Sequence, residues 1–297
     1  MSSSTTHSAQ WHDQPGFGIA LFVINLILMA VMGAMVKTLS VSYPLTEILS
    51  YRFICAMLAF AITLPSVGGL AGLKTSRPFG HAVRTVSGIV SLGLLYFALS
   101  TIPLADATAL VYSAPIFIVV FSIPLLGETI GWRRWSAVLL GFIGVILIAQ
   151  PGASMNIGTL AGIGSAIGAA LVSIFLRRLS KTEKTVTIGF YYNFTGTLVY
   201  TGWAISIGWV MPLASDALLI AAFGLLAGLQ QWALNHSHRY AEASMLAPFE
   251  YLILIFAALL GYVFWAEVPS FTTWIGAAII VASGLFIIAR KRAIGQT

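Results

Sequence analysis

The chain has 297 residues, 59% of them apolar and only 8% charged, with a mean hydropathy of +0.94. A soluble domain carries about 25% charged residues, so this composition cannot clothe a water-exposed surface, and a soluble enzyme is excluded. The net charge of +6 sits mostly at the ends of apolar runs, so it marks a membrane face and gives no footing to nucleic acid.

The first 16 residues are polar and carry neither Lys nor Arg. A secretory signal needs a basic front region and a cleavage site, so this stretch reads as a short cytoplasmic tail. Ten apolar runs follow, each near the 20 residues that cross a bilayer core as a helix. They are expected at 17–39, 44–66, 82–100, 103–125, 132–150, 157–178, 184–206, 213–236, 242–265 and 271–290, with residues 291–297 as a second cytoplasmic tail. Turn signals divide them, among them Ser42-Tyr43-Pro44, Ile102-Pro103, Gln150-Pro151-Gly152 and Val268-Pro269. The lone Cys55 lies inside the second run and reads as a small buried hydrophobe.

Alternate connections collect the basic residues. Lys74, Arg77, Arg84, Arg133, Arg134, Arg177, Arg178, Lys181, Lys184, Arg239, Arg290, Lys291 and Arg292 all fall on the side of the N-terminus, and the other side holds only Lys37. By the positive-inside rule both termini are cytoplasmic, in the cell (inner) membrane.

The chain also repeats itself. Ala105-Asp106-Ala107 opens an apolar run that leads to Glu128 and Trp135, and Ala241-Glu242-Ala243 opens another that leads to Glu267 and Trp274. The landmarks are offset by 136 and 139 residues. Five crossings per copy is odd, so the second copy must enter the membrane the other way up. The expectation is an all-α polytopic protein of two inverted five-helix repeats, 17–150 and 157–290, with a substrate site between them near midplane.

Ionisable residues inside spans are costly in hydrocarbon and are functional candidates by default. Glu47 and Arg52 fall in the second run and Glu250 in the ninth. Arg52 and Glu250 are each about 12 Å from a helix end at 1.5 Å per residue, so they could meet across a cavity, Arg52 taking a carboxylate and Glu250 an amine. The plainer readings are that the two neutralise each other, or that Arg52 pairs with Glu47. Polar and aromatic residues that could line the same cavity are Tyr96, Tyr112, Tyr192, Asn193, Gln231, Trp232 and Tyr251. Pro115 and Pro124 interrupt the fourth run and Pro248 the ninth, and these could serve as bending points. Asp106 and Glu242 read as acids at helix N-termini, and Glu128 and Glu267 as structural or gating groups. Gly158, Gly162, Gly164 and Gly168 have the spacing of close helix packing. No catalytic, metal or nucleotide motif stands out, so no enzymatic activity, cofactor or metal is expected; a lipid-modifying membrane enzyme is the competing class.

These features together resemble the drug/metabolite transporter superfamily, specifically its EamA-type members. The resemblance rests on the repeated Ala-acid-Ala openings, Pro115, and Gly127-Glu128-Thr129 before Trp135. A narrower likeness, carried by Lys74-Thr75-Ser76-Arg77-Pro78, His81, Arg84, Glu47 with Arg52, and Pro248-Phe249 with Tyr251-Leu252, is to S-adenosylmethionine and riboflavin uptake carriers. Those relatives often carry a basic residue where this chain has Glu250, which favours here a ligand with positive charge, or an internal pair with Arg52. The resemblance implies a secondary carrier for a small amphipathic metabolite, amino-acid-like, S-adenosylmethionine-like or an aromatic nitrogenous compound. A multidrug or amino-acid exporter of the same fold is the alternative. The partners implied are the small-molecule substrate and membrane lipids, with a homodimer left open.

Overall fold

In a computed structural model, residues 14–63, 69, 73–151, 156–241, 243–246 and 248–295 are described. Among them every regular element is a helix. In order these are α1 (Pro15–Leu39), α2 (Leu45–Thr63), α3 (Pro78–Thr101), α4 (Leu104–Val111), α5 (Ala114–Leu126), α6 (Trp132–Ala149), α7 (Ile157–Leu179), α8 (Thr185–Ile207), α9 (Ala214–Tyr240), α10 (Ala243–Leu246), α11 (Leu252–Trp265) and α12 (Phe271–Gly295). A 3-10 turn, Phe249–Tyr251, leads into α11. In hydrocarbon each backbone N–H and C=O must find its partner within the protein, which an apolar helix achieves by itself. Seven of these stretches are long and apolar enough to cross a membrane, with Phe249–Trp265 a shorter apolar one. Helices α2 and α8 are also of span length. The chain is therefore a polytopic helical membrane protein.

Two expected spans are broken. The fourth divides into α4 and α5 at Tyr112–Ser113, with Pro115 in the first turn of α5. Proline is tolerated there because first-turn N–H groups have no intrahelical partner. Pro124, by contrast, stays inside α5. The ninth divides into α10, the 3-10 turn that Pro248 introduces, and α11. The third span begins at Pro78 instead of residue 82, because Pro78 supplies a helix-ready φ at the first position. The C-terminal helix runs to Gly295, through residues expected as a tail.

Helix pairing is regular. α3 lies along α7 and α1 along α9, α2 packs on α8, and α6 packs on α12. α1 also meets α11, and α7 meets α4 and α5. Small residues let the backbones approach. A Cβ at Gly168 would stand 2.6 Å from that of Ser91, and one at Gly162 would stand 2.9 Å from Leu110. The Ser91 and Ser165 hydroxyls each donate to the other's carbonyl at 2.8 Å, tying α3 to α7. Between α1 and α9 the corresponding tie is the buried Gln230 amide donating to Asn25.

The two ends of the bundle are closed differently. On the face opposite the start of α1, Lys37 at the end of α1 pairs with Glu267 after α11. Lys37 also donates to the Ile102 carbonyl at 3.1 Å, and Glu267 accepts the Leu104 N–H at 2.9 Å. Asp106, in the first turn of α4, accepts from Thr273 at 2.8 Å, and Gln150 donates to Thr272 at 2.6 Å. The ends of α1, α3, α4, α6, α11 and α12 are thereby held together on this far face. On the face where α1 begins, the N-terminal face, the matching acid Glu128 pairs with Arg177 at 3.0 Å. Their side chains are 31% and 51% exposed, against 19% and 13% for Glu267 and Lys37.

Candidate functional site

A cavity of about 540 Å³ lies between α1, α3, α4–α5, α7, α11 and α12. Its floor is Gly33, Leu99 and Leu104, under the far-face contacts, and its mouth is Glu128, Arg134 and Arg177 at the N-terminal face. That volume is within the ~300–1,000 Å³ of small-molecule pockets. The walls are mostly apolar, with Thr108, Tyr112, Ser122, Ser173, Glu250 and Tyr251 as the polar points.

The helix breaks position the key side chains. Tyr112 is the last residue before the α4–α5 break, and Glu250 and Tyr251 lie in the 3-10 turn. Where the helix stops, a side chain is aimed into the bundle and backbone groups are freed to face the cavity. Tyr112 and Tyr251 are the titratable neighbours of Glu250. Tyr251 is held from behind by α12. A Cβ at Gly284 would stand 1.8 Å from its hydroxyl, so only glycine leaves that hydroxyl its place.

Of the residues singled out from sequence, Tyr112, Pro115, Glu250 and Tyr251 line this cavity. Arg52 does not. It forms no ion pair with Glu250 or Glu47; its guanidinium lies 5.7 Å from the Tyr96 ring, with Tyr192 as its other polar neighbour. The juxtaposition of Arg52 with Glu250 is thus corrected: depth along each helix was consistent, but the two helices aim them elsewhere. Glu47 is fully buried at the far end of α2 and accepts the Val210 N–H at 2.8 Å, anchoring the α8–α9 connection. Asn193 donates to Gly189 of its own helix at 2.9 Å. Gln231 and Trp232 lie on the outward surface of α9, Trp232 being 49% exposed and packed on His236. Pro248 sits behind the cavity, at the start of the 3-10 turn, and Glu242 lies outside the described residues.

Two residues counted from sequence as face charges prove to be internal. Arg134 lines the cavity mouth, its Nε buried without a hydrogen-bond partner. Arg84 stacks on the Tyr192 ring at 4.1 Å. Its position six residues after Pro78 was the available signal, since a helix starting there carries Arg84 past its first turn. The Lys74–Arg84 segment is organised by Glu183 from the α7–α8 connection. Glu183 accepts from the Thr75 hydroxyl at 2.9 Å and the Ser76 N–H at 3.3 Å, and stands 3.7 Å from His81. Burial pushes the Glu183 carboxyl up, but those hydrogen bonds and His81 outweigh it and hold the group below the ordinary carboxylate value.

A helical membrane bundle around an amphipathic cavity that runs from the far-face contacts toward exposed residues at the N-terminal face has the architecture of a membrane transporter. The comparisons agree. Residues 16–150 and 156–289 match the EamA-like transporter family, and the chain belongs to it. Over 278 residues it is 29% identical to a riboflavin transporter of Rhizobium johnstonii, covering 92% of this chain and 89% of that one. It is 31% identical to a pseudopaline exporter of Pseudomonas aeruginosa, with 93% and 97% covered. It is 28% identical to an S-adenosylmethionine uptake transporter of Rickettsia bellii, with 94% and 96% covered. A solved crystal structure superposes with a TM-score of 0.60 over 95% of this chain and 99% of that one, at 19% identity, which speaks to the fold alone. The chain is a membrane transporter, not an enzyme.

Proposed function

We propose that this chain is a secondary carrier of the cell (inner) membrane, made of two inverted repeats, 17–150 and 157–290. It crosses ten times with both termini cytoplasmic, and moves a small amphipathic metabolite bearing a positive group by alternating access. The observation that carries the reading is Glu250, with Tyr112 and Tyr251 as neighbours, on the wall of a largely apolar cavity that reaches the exposed Glu128 and Arg177. A carboxylate in an apolar pocket attracts an ammonium, sulfonium or cationic ring, and the tyrosines offer aromatic faces to it. The substrate classes in view are amino-acid-like, S-adenosylmethionine-like and aromatic nitrogenous compounds, in keeping with relatives named for riboflavin, S-adenosylmethionine and pseudopaline.

The inverted-repeat reading is supported by the pairing of helices. Exchanging α1 with α7, α2 with α8, α3 with α9, α4–α5 with α10–α11 and α6 with α12 carries α1–α9 into α3–α7, α1–α11 into α5–α7 and α2–α9 into α3–α8, although the contacts of α1 with α3 and of α5 with α6 have no counterpart of similar extent. The latches follow the same exchange. Arg177 stands 140 positions after Lys37 and Glu267 stands 139 after Glu128, so the two acid–base pairs are counterparts on opposite faces. Each acid follows a left-handed residue, Gly127 (φ 67°) or Ala266 (φ 53°). Each acid's N–H also reaches back six residues, Glu128 to the Ser122 carbonyl at 3.3 Å and Glu267 to that of Gly261 at 3.1 Å. Both pairs are formed in this conformation, but the far pair is the more shielded and the N-terminal pair the more exposed, which supports a cavity facing the side assigned to the cytoplasm. In the alternate state the roles reverse, with Pro115 and Pro248 next to the breaks that bend.

Counterflow in proteoliposomes, with a panel of amino acids, S-adenosylmethionine and flavins, tests the reading. One cationic amphipathic compound is expected to exchange, with Glu250→Gln raising its KM at least about tenfold, the loss of one charge-assisted contact. Exchange of no compound, or a Glu250→Gln variant with unchanged KM, overturns it.

A further inference from the structure

Away from the cavity, α2, α3 and α8 enclose two guanidinium groups that share one tyrosine. Arg84 lies over the Tyr192 ring at 4.1 Å, and Arg52 lies between Tyr192 and the Tyr96 ring, 5.7 Å from the latter. Tyr192 reaches this position because α3 has Gly88 opposite it: a Cβ there would stand 2.8 Å from the tyrosine ring. Phe53 closes the site with its edge-to-face contact to Tyr192 at 5.3 Å. Nη1 of Arg52 and both Nε and Nη1 of Arg84 are shielded from solvent and lack hydrogen-bond partners. The ion pairs among the described residues are Lys37–Glu267, His81–Glu183 and Arg177–Glu128, and none reaches either arginine.

Two half-buried cations inside a helical bundle, with tyrosines as neighbours and no acidic partner among the described residues, are out of balance. A buried unpaired charge costs several kcal/mol, and charges in spans ordinarily pair with one another. Simple snorkelling does not account for Arg84. Its Cα is about 9 Å along α3 from the helix start, yet its guanidinium turns inward onto Tyr192 instead of reaching the interface. Arginine's planar fork matches a carboxylate or phosphate with two parallel N–H donors.

We propose that Arg52 and Arg84, with Tyr192 between them, form a second binding site that takes an oxyanion, a carboxylate or phosphate group. The site is separate from the Glu250 cavity, so a substrate with both charges would meet its two ends in different parts of the protein. The proposal rests on the carrier reading only for the ligand's role; binding itself can be measured without transport.

The test uses the full-length protein in nanodiscs of phosphatidylcholine, with thermal unfolding followed by tryptophan fluorescence. Inorganic phosphate and succinate are titrated against chloride at matched ionic strength. Wild type should show a saturable rise in Tm of about 3 °C. Arg52→Met and Arg84→Met should lose the rise and melt, without oxyanion, no lower than wild type, because each removes an uncompensated charge. Arg52→Lys, which keeps the charge without the fork, should respond weakly, a control that holds if a methionine variant misfolds. Nanodiscs containing phosphatidylglycerol separate the sources. An elevated Tm there that phosphate cannot increase assigns the site to a lipid headgroup, whereas a response to soluble anions in both membranes assigns it to a solute. No response beyond chloride in either membrane overturns the proposal, as do methionine variants that respond like wild type. Methionine variants that melt lower without anion also overturn it, since the arginines would then be structural.

Discussion

Replacing Lys37 with Met removes one side of the far-face latch and tests whether that latch holds the observed conformation. Glu267 is 19% exposed and keeps only the Leu104 N–H once the ammonium is gone. Removing one partner of a fully buried pair costs about 3–5 kcal/mol, while exposed pairs are worth about 1 or less. This pair is largely shielded, so a loss of about 3 kcal/mol is expected from the far-closed state. At 1.4 kcal/mol per factor of ten, that raises the far-open population roughly a hundredfold. Ser replaces Cys55 in the assay background, and Cys replaces Leu104 on the cavity floor. A membrane-impermeant maleimide is then applied from the far side of oriented proteoliposomes. Labelling should be roughly a hundredfold faster with Lys37→Met than without it, in proportion to the far-open population. The reversed pair Lys37→Glu with Glu267→Lys should bring the rate back toward the parent. An unchanged rate, or one equally raised by replacing the exposed Arg177, would show that the latch does not set the conformation.

Four other outcomes follow from particular contacts. Gly284→Ala should abolish transport, because the added carbon meets the Tyr251 hydroxyl at 1.8 Å and its Cζ at 3.0 Å; combining it with Tyr251→Phe, which deletes the nearer atom, should restore part of the rate in proteoliposomes. Ala266→Gly should raise Tm by relieving the left-handed backbone at φ 53°, worth about 1 kcal/mol, and a fall in Tm would remove that explanation. Glu183 has a folded pKa below its unfolded one, so its contribution is present at neutral pH and fades as pH falls through the ordinary carboxylate value and then the lower folded value. The Tm gap between wild type and Glu183→Gln should therefore be widest near pH 7 and close on acidification, whereas a gap that widens in acid contradicts the assignment. Arg134→Met at the cavity mouth should leave folding intact and alter substrate KM, read by counterflow, while an unchanged KM would place Arg134 outside the substrate path.

The sequence made the helix bounds along the chain readable, and left rotation about each helix axis largely unreadable. Turn residues and apolar run lengths located the helices. The breaks next to Pro115 and Pro248 were readable because proline removes a backbone donor. Which way Arg52, Gln231 and Trp232 point was not, because a helix apolar on nearly every side has too weak a periodicity to define an inner face. The partnership of Lys37 with Glu267 spans 230 positions and depends on how two helix ends meet. Arg84 and Arg134 looked like ordinary interface cations, and only the packing of α3 on α8 and of α6 on α5 turns them inward.

Alternating access requires the two halves to rock about one cavity, opening one face as they close the other. It is tested most directly by two spin-label distances in the Cys55→Ser background. One joins Val41 to Val268 across the far face, and the other joins Trp132 to Ser180 across the N-terminal face, all four being exposed sites. In the Lys37→Met protein the account predicts a new, longer far-face distance and, in equal population, a new, shorter N-terminal distance. A far-face distance that lengthens while the N-terminal one stays fixed would mean local fraying of a helix end, and would contradict alternating access in this chain.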